Sequence, residues 1–229
     1  MPARVSVLLT PNAGRVPARA VAVVVDVLRA TTVLAIARLR GARRVLPAAT
    51  PDEALSLRAR HPDALLCGER EGRRIEGFDL GNSPAEYGFE AVAGRTLIFA
   101  STNGSQALLR ARGARRRVLG AFVCAGAVLE ALAGEEQVVV VCAGKLARFA
   151  LEDTAFAGWL VERLAGRGAC VDGAAAALAR RTAPRDAAEV RALVQGSAHG
   201  RYLRSLGPEY AADVEYCARL DVIGQAFEA

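Results

Sequence analysis

A chain of 229 residues, 52% of them hydrophobic, can bury one sizeable core and fits a single α/β domain, residues 1–229, with a helical subregion over 173–229. No apolar run reaches the roughly 18 residues of a bilayer span, and the opening Met1-Pro-Ala-Arg-Val-Ser-Val-Leu-Leu lacks a secretory leader's apolar segment, so a cytoplasmic protein is expected. The net charge is +6, but five scattered cysteines without a Cys-x-x-Cys pair argue against a disulfide scaffold or structural zinc site, and 5% aromatic residues give no basic stripe suited to nucleic acid.

Of the 30 basic residues, all but Lys145 are arginines. Their clusters, at Arg38–Arg44, Arg110–Arg117 and Arg180–Arg185, read as solvated faces, and the positive balance suits a small anionic substrate through steering.

The first strand is predicted over Arg4–Leu9. Ala20–Val25, apolar at every position, reads as a buried parallel strand that runs into Asp26-Val-Leu-Arg-Ala-Thr-Thr and a helix to about Leu39. Asp26 therefore stands at the carboxyl end of a strand, where open α/β sheets bind ligands. After a short strand at Arg44–Leu46, Thr50-Pro51-Asp52-Glu53 carries a capping box and a first-turn proline, and its helix ends near His61-Pro62.

The short run Ala64–Cys67 then delivers the long segment Glu69–Tyr87, which holds carboxylates, arginines, three central glycines and a proline. A loop of this length inside a compact chain is usually functional, and Phe78, Leu80 and Tyr87 can anchor it on a core. A strand over Arg95–Ala100 ends in Ser101-Thr102-Asn103-Gly104-Ser105, a hydroxyl- and amide-rich turn before a helix over Gln106–Arg112. A strand at Val118–Phe122 and a short helix at Val128–Ala133 follow. The valine-rich strand Gln137–Cys142 leads through Ala143-Gly144-Lys145 to a helix whose first turn holds Glu152 and Asp153. From Gly173 the pattern is helical, over about 173–181, 186–195 and 197–220, broken by Pro184, Gly196 and Pro208, with an apolar stripe at Ala211, Val214, Cys217 and Ala218.

Strand–helix alternation predicts a three-layer α/β/α fold with a mostly parallel sheet. Asp26, Glu69, the Ser101–Ser105 turn and the Cys142–Asp153 segment then emerge at one rim, joined by Asp79, Asn82 and Ser83 from the long loop. Several carboxylates with only two histidines in the chain make a hard-oxygen site, which suits Mg²⁺ beside a phosphate ester. Arg29 and the turn amides would hold the phosphate. The Walker and dinucleotide glycine motifs are absent. Asp26 with Thr31 is similar to phosphatases with a nucleophilic aspartate after the first strand, but their second aspartate, two positions on, is Leu28 here. Two alternatives stand beside this reading. Cys142 and Arg148 have the cysteine–five–arginine spacing of thiol phosphatases, and a basic chain could bind anions or nucleic acid without catalysis.

Four blocks together resemble the 2-phosphosulfolactate phosphatase family: Asp26-Val-Leu-Arg-Ala-Thr-Thr; Gly68-Glu-Arg-x-Gly with Gly77-Phe-Asp-Leu-Gly-Asn-Ser-Pro-x-Glu-Tyr87; Ser101-Thr-Asn-Gly-Ser; and Cys142-Ala-Gly leading to Leu151-Glu-Asp153. Ser197-Ala-His-Gly also looks like the family's, and the likeness spans about residues 20 to 220. The resemblance implies a Mg²⁺-dependent acid phosphatase that releases phosphate from 2-phosphosulfolactate to give 3-sulfolactate, toward coenzyme M, and that forms a homo-oligomer such as a dimer. On this reading Asp26, Glu69 and Asp79 are catalytic, and Asp26, Glu69, Asp79, Glu152 and Asp153 are the metal ligands or acid–base groups. Arg29, Thr31, Asn82, Ser83, Ser101, Thr102, Asn103, Gly104 and Lys145 hold the substrate.

Overall fold

The structure is a computed structural model that describes residues 3–229. Strand β1 (Arg4–Leu8) and the wholly buried β2 (Val21–Val25) lead to helix α1 (Ala30–Leu39), which buries its first eight residues. Next come β3 (Arg44–Pro47) and α2 (Pro51–Arg60). Thr50 caps α2 by accepting from Glu53 N, while Glu53 accepts from Ala49 N, so the expected capping residues hold this helix start. Strands β4 (Leu65–Arg70) and β5 (Arg73–Arg74), helix α3 (Phe89–Val92), β6 (Thr96–Ala100) and α4 (Gly104–Arg110) follow. Strand β7 (Arg116–Gly120) starts two residues earlier than its sequence suggests; then come α5 (Ala125–Ala131), β8 (Gln137–Cys142), α6 (Leu151–Gly166) and β9 (Cys170–Val171). The chain ends in the helical region α7 (Ala174–Arg180), α8 (Ala187–Gly196), α9 (Ala198–Leu206) and α10 (Pro208–Cys217).

The expected α/β fold with a parallel, helix-flanked sheet is present. That sheet has five strands in the order β7-β2-β8-β1-β9, every pair parallel. Val23 stands opposite Val140, and Val5 opposite Val138. Such continuous valine runs are what two covered faces require. Phe156 and Trp159 of α6 complete this core, where Phe156 meets Phe122 edge-on with centroids 5.3 Å apart. The chain after α10 returns along β7, with Leu119 N donating to Phe227 O and Ala229 N to Arg117 O.

The remaining strands form a second sheet, β3-β6-β4-β5, in which only the β4–β5 pair is antiparallel. Helix α2 covers it over a small core of its own, centred on Leu66, Phe78 and Ile98. Hydrophobic runs mark strands but carry no pairing information, so one sheet was the expectation where the chain builds two. The long loop is pinned to this second sheet. Leu80 lies parallel to Cys67, with Gly68 N donating to Leu80 O and Leu80 N to Leu66 O.

Candidate active site

The carboxyl ends of β2 and β8 from the first sheet face those of β4 and β6 from the second. Between them, roofed by α9, lies a cleft of about 290 Å³ lined by Asp26, Arg29, Glu69, Asn82, Thr102 and Asn103, with Lys145, His199 and Tyr202. Open α/β sheets present ligand sites at this end.

Asp26 is 6% exposed. Its Oδ1 accepts from Ala30 N at 3.2 Å, which takes up the first free N–H of α1. Thr31, fully buried beneath it, has Oγ1 accepting from Asp26 N at 3.0 Å while lying 2.7 Å from Gly120 O. Thr31 therefore fixes the β2–α1 corner and does not line the cleft. Burial pushes the Asp26 carboxyl up to about 7; the Ala30 N–H opposes this, and the charges of Glu69 and Glu152 add to it.

Glu69 is clamped by both oxygens. Oε1 accepts from Thr102 N at 2.7 Å and Oε2 from Gly72 N at 2.8 Å. Ser101 and Ser105 bond each other reciprocally, Ser101 N to Ser105 Oγ at 2.8 Å and Ser105 N to Ser101 Oγ at 3.0 Å. Of the amides expected to hold phosphate, that of Ser101 is thus committed to the turn itself and that of Thr102 to Glu69, and Ser101 does not line the cleft. A backbone N–H engaged with a protein oxygen has nothing left to donate.

Two cations face these carboxylates. Arg29, 3% exposed, donates from Nη1 to Asp213 Oδ2 and from Nη2 to Gly72 O, both at 2.5 Å, and its guanidinium lies 5.3 Å from the Tyr210 ring centre. Lys145 Nζ stands 4.5 Å over the Tyr202 ring, and Tyr202 Oη donates to Glu71 O at 3.1 Å. Burial lowers the Lys145 pKa, while Glu69, Glu152 and Asp26 pull it back up. Lys145 reaches the cleft on a tight turn in which Lys145 N and Arg148 N each donate to the other's carbonyl, and Leu146 N donates to Asn103 Oδ1 at 2.9 Å. Gly144 makes that turn possible: its φ is +63°, and a Cβ there would stand 2.2 Å from Arg148 O.

Other expected residues are placed elsewhere. Asp79 is away from the cleft: its Oδ2 accepts from Leu66 N at 2.8 Å and from Arg58 Nη1 at 3.0 Å, at the opposite end of β4 from Glu69. The reason is the parallel return of Leu80 beside Cys67, which carries Asp79 back toward the strand's start. Ser83 donates to Asp213 Oδ1 at 2.6 Å and caps the 3₁₀ turn Pro84–Glu86, behind Arg29. Asp153 is consumed as a brace, accepting from Val27 N at 2.8 Å and Gly144 N at 3.0 Å, and burial with the nearby Asp26 and Glu152 charges holds its pKa well above the usual range. Glu152, 2% exposed, lies behind His199, with Oε1 3.3 Å from His199 Nδ1. Cys142 is fully buried, its thiol pushed well above the ordinary value chiefly by burial, and Arg148 is exposed on the turn, so the pair forms no thiol–arginine cradle. Nothing in a helical periodicity says which residue meets a strand end more than a hundred positions away, so the sequence alone does not single out His199, Tyr202 or Asp213.

Among the described residues no three His, Cys, Asp or Glu side chains stand close enough to hold an ion by themselves. The donor set nevertheless fits a hard divalent cation that a substrate helps to complete. Two like-charged carboxylates, Asp26 and Glu69, share the cleft, and the buried Asn82 Oδ1 and Thr102 Oγ1 in its wall have no hydrogen-bond partner.

The fold and this site define an α/β protein with a carboxylate- and cation-lined cleft at its strand ends. The profile of the 2-phosphosulpholactate phosphatase family matches residues 8–227, and the chain belongs to that family. It is 44% identical over 205 residues to a protein of Deinococcus radiodurans, covering 87% of this chain and 83% of that one. It is 40% identical over 201 residues to one of Thermotoga petrophila (88% and 85%) and 40% identical over 206 residues to one of Carboxydothermus hydrogenoformans (88% and 82%). All three relatives bear the name "Probable 2-phosphosulfolactate phosphatase".

Proposed function

We propose that this chain is a magnesium-dependent phosphatase that hydrolyses 2-phosphosulfolactate, or a phosphoester of the same size and charge, to 3-sulfolactate and phosphate in the cytoplasm, as a step toward coenzyme M. The observation that carries the reading is the meeting of Asp26 and Glu69 with Arg29 and Lys145 in one cleft of a chain from this family.

Asp26 and Glu69 would hold the ion, with Asn82 Oδ1 and Thr102 Oγ1 as neutral oxygens beside them. Held there, a magnesium ion would supply charge neutralisation and the activation of a water. Arg29 retains three of its five donors after its two internal bonds, and these are available to an anion. Lys145, set over Tyr202, answers a second acidic group of the substrate. With Nδ1 turned to Glu152, His199 would take a proton from the attacking water at Nε2 and pass it to the departing alcohol oxygen as the ester bond breaks. Tyr202 and Leu203 of α9 form an apolar wall that strengthens each of these charges by displacing water.

The test is phosphate release from 2-phosphosulfolactate and phospholactate by purified protein, with a chelator and after magnesium is restored. The reading expects turnover that disappears on chelation and returns with the metal. Turnover indifferent to chelation would remove the metal, and no release from any small phosphoester would remove the reading.

A further inference from the structure

Arg29 reaches the cleft from the β2–α1 corner, but its own segment does not orient it. Its two engaged donors go to the β4–β5 turn, at Gly72 O, and to Asp213 in α10. Asp213 stands 184 positions from Arg29 and is 4% exposed, and each of its oxygens has a single partner: Oδ2 takes Arg29 Nη1 and Oδ1 takes the Ser83 hydroxyl. From α10, Tyr210 lays its ring on the guanidinium at 5.3 Å. A guanidinium presents its donors in a fixed plane, so binding one edge and one face settles the direction of the rest. Burial raises the cost of losing either charge, since the survivor would be stranded away from water.

We infer that Asp213 is the positioning residue for Arg29: from the C-terminal helical region, held by Ser83, it aims the remaining guanidinium donors at the substrate's anionic group. The inference rests on the phosphatase reading only in that the cleft receives an anion; no step of catalysis passes through Asp213. It gives the helical C-terminal region a task in recognition and the Ser83 hydroxyl a task as the third member of a relay.

Binding of inorganic phosphate, followed by calorimetry in magnesium buffer, tests this without turnover. Asp213→Asn keeps the shape of the side chain and removes its charge; phosphate affinity should fall roughly tenfold, with KM rising in step and kcat changing far less. Ser83→Ala, which leaves the ion pair in place, should move affinity the same way by a smaller factor. Arg29→Lys should weaken phosphate binding by itself, and adding Asp213→Asn to it should cost little more, because both substitutions disable one device. A merely structural Asp213 would instead lower the melting temperature and leave phosphate affinity unchanged in the folded fraction, and that result overturns the inference. So do independent, fully additive effects of the Arg29 and Asp213 substitutions, or a wild-type chain that binds no phosphate. A wild type that binds phosphate in an Asp213-dependent way yet hydrolyses no ester would uphold the inference and sink the phosphatase reading.

Discussion

Gly104 sits against Asp26 so closely that a Cβ on it would stand 2.7 Å from Asp26 Oδ2 and 2.5 Å from Ala30 Cβ. The start of α4 is thus seated directly on the carboxylate, and the missing side chain is what allows the close approach. Gly104 was expected to bind substrate, and its contribution is this space. Gly104→Ala should destabilise the fold by about 1–3 kcal/mol as an overpacked site. It should also lower kcat/KM more than the lost stability explains, because Asp26 must shift. Kinetics on the folded fraction, checked by circular dichroism, would show this.

The position of Asp26 also sets a pH dependence. Its carboxyl has an ordinary value of 3.8 and is pushed up to about 7 in the folded chain, first by burial. Between those values the folded state keeps a proton that the unfolded state has released, so Asp26 subtracts stability as pH rises through this window. In chelator-treated protein, Asp26→Asn should therefore melt higher than wild type, and its advantage should be larger at about pH 7.5 than at about pH 5. Melting curves of the two proteins at both pH values check the sign; an advantage that shrinks with rising pH would show the carboxylate to be stabilised, not strained, by its surroundings.

Lys145 and Tyr202 form a cation–ring pair at the mouth of the cleft. Lys145→Gln should raise KM roughly tenfold for a substrate with a second acidic group and much less for a plain phosphomonoester. Tyr202→Leu should act in the same direction and more weakly, by removing the ring that holds the ammonium in place. Steady-state kinetics with the two substrate kinds separates this from a general loss of binding.

Cys142 and Asp79 should affect stability, not turnover. Cys142→Ala, in a fully buried strand end, should leave the rate of phosphate release within about twofold and cost on the order of 1 kcal/mol. Asp79→Ala should cost about 1–3 kcal/mol by leaving Leu66 N without its acceptor, again with kcat preserved. Denaturant titration alongside a rate measurement reads both quantities; an inactive but folded Cys142→Ala would restore the thiol mechanism.

Much of the cleft was legible because strand ends are legible. The unbroken apolar run of β2 marks a buried strand, so Asp26 falls at a ligand-binding edge on sequence reasoning alone, and the same reasoning places Thr102, Asn103 and Lys145. Two kinds of information were not there. Pairing partners leave no trace in a hydrophobic run, so the second sheet and the return of Leu80 along Cys67 were missed, and Asp79 with them. The contacts of the C-terminal helices were also hidden. The apolar stripe Ala211–Ala218 announces α10 but not that Asp213, just off that stripe, reaches Arg29. Glu152 and Asp153 looked like first-turn charges of a helix, and only the approach of Val27, Gly144 and His199 shows what each one holds.

Phosphate release by wild type, Asp26→Asn and Glu69→Gln, measured side by side on the same phosphoester with magnesium present, tests the central claim most directly. Both substitutions should fold and should lower turnover by about 10²–10³-fold, the usual scale for removing one preorganised electrostatic group. Folded variants that release phosphate at the wild-type rate would place the reaction outside this cleft.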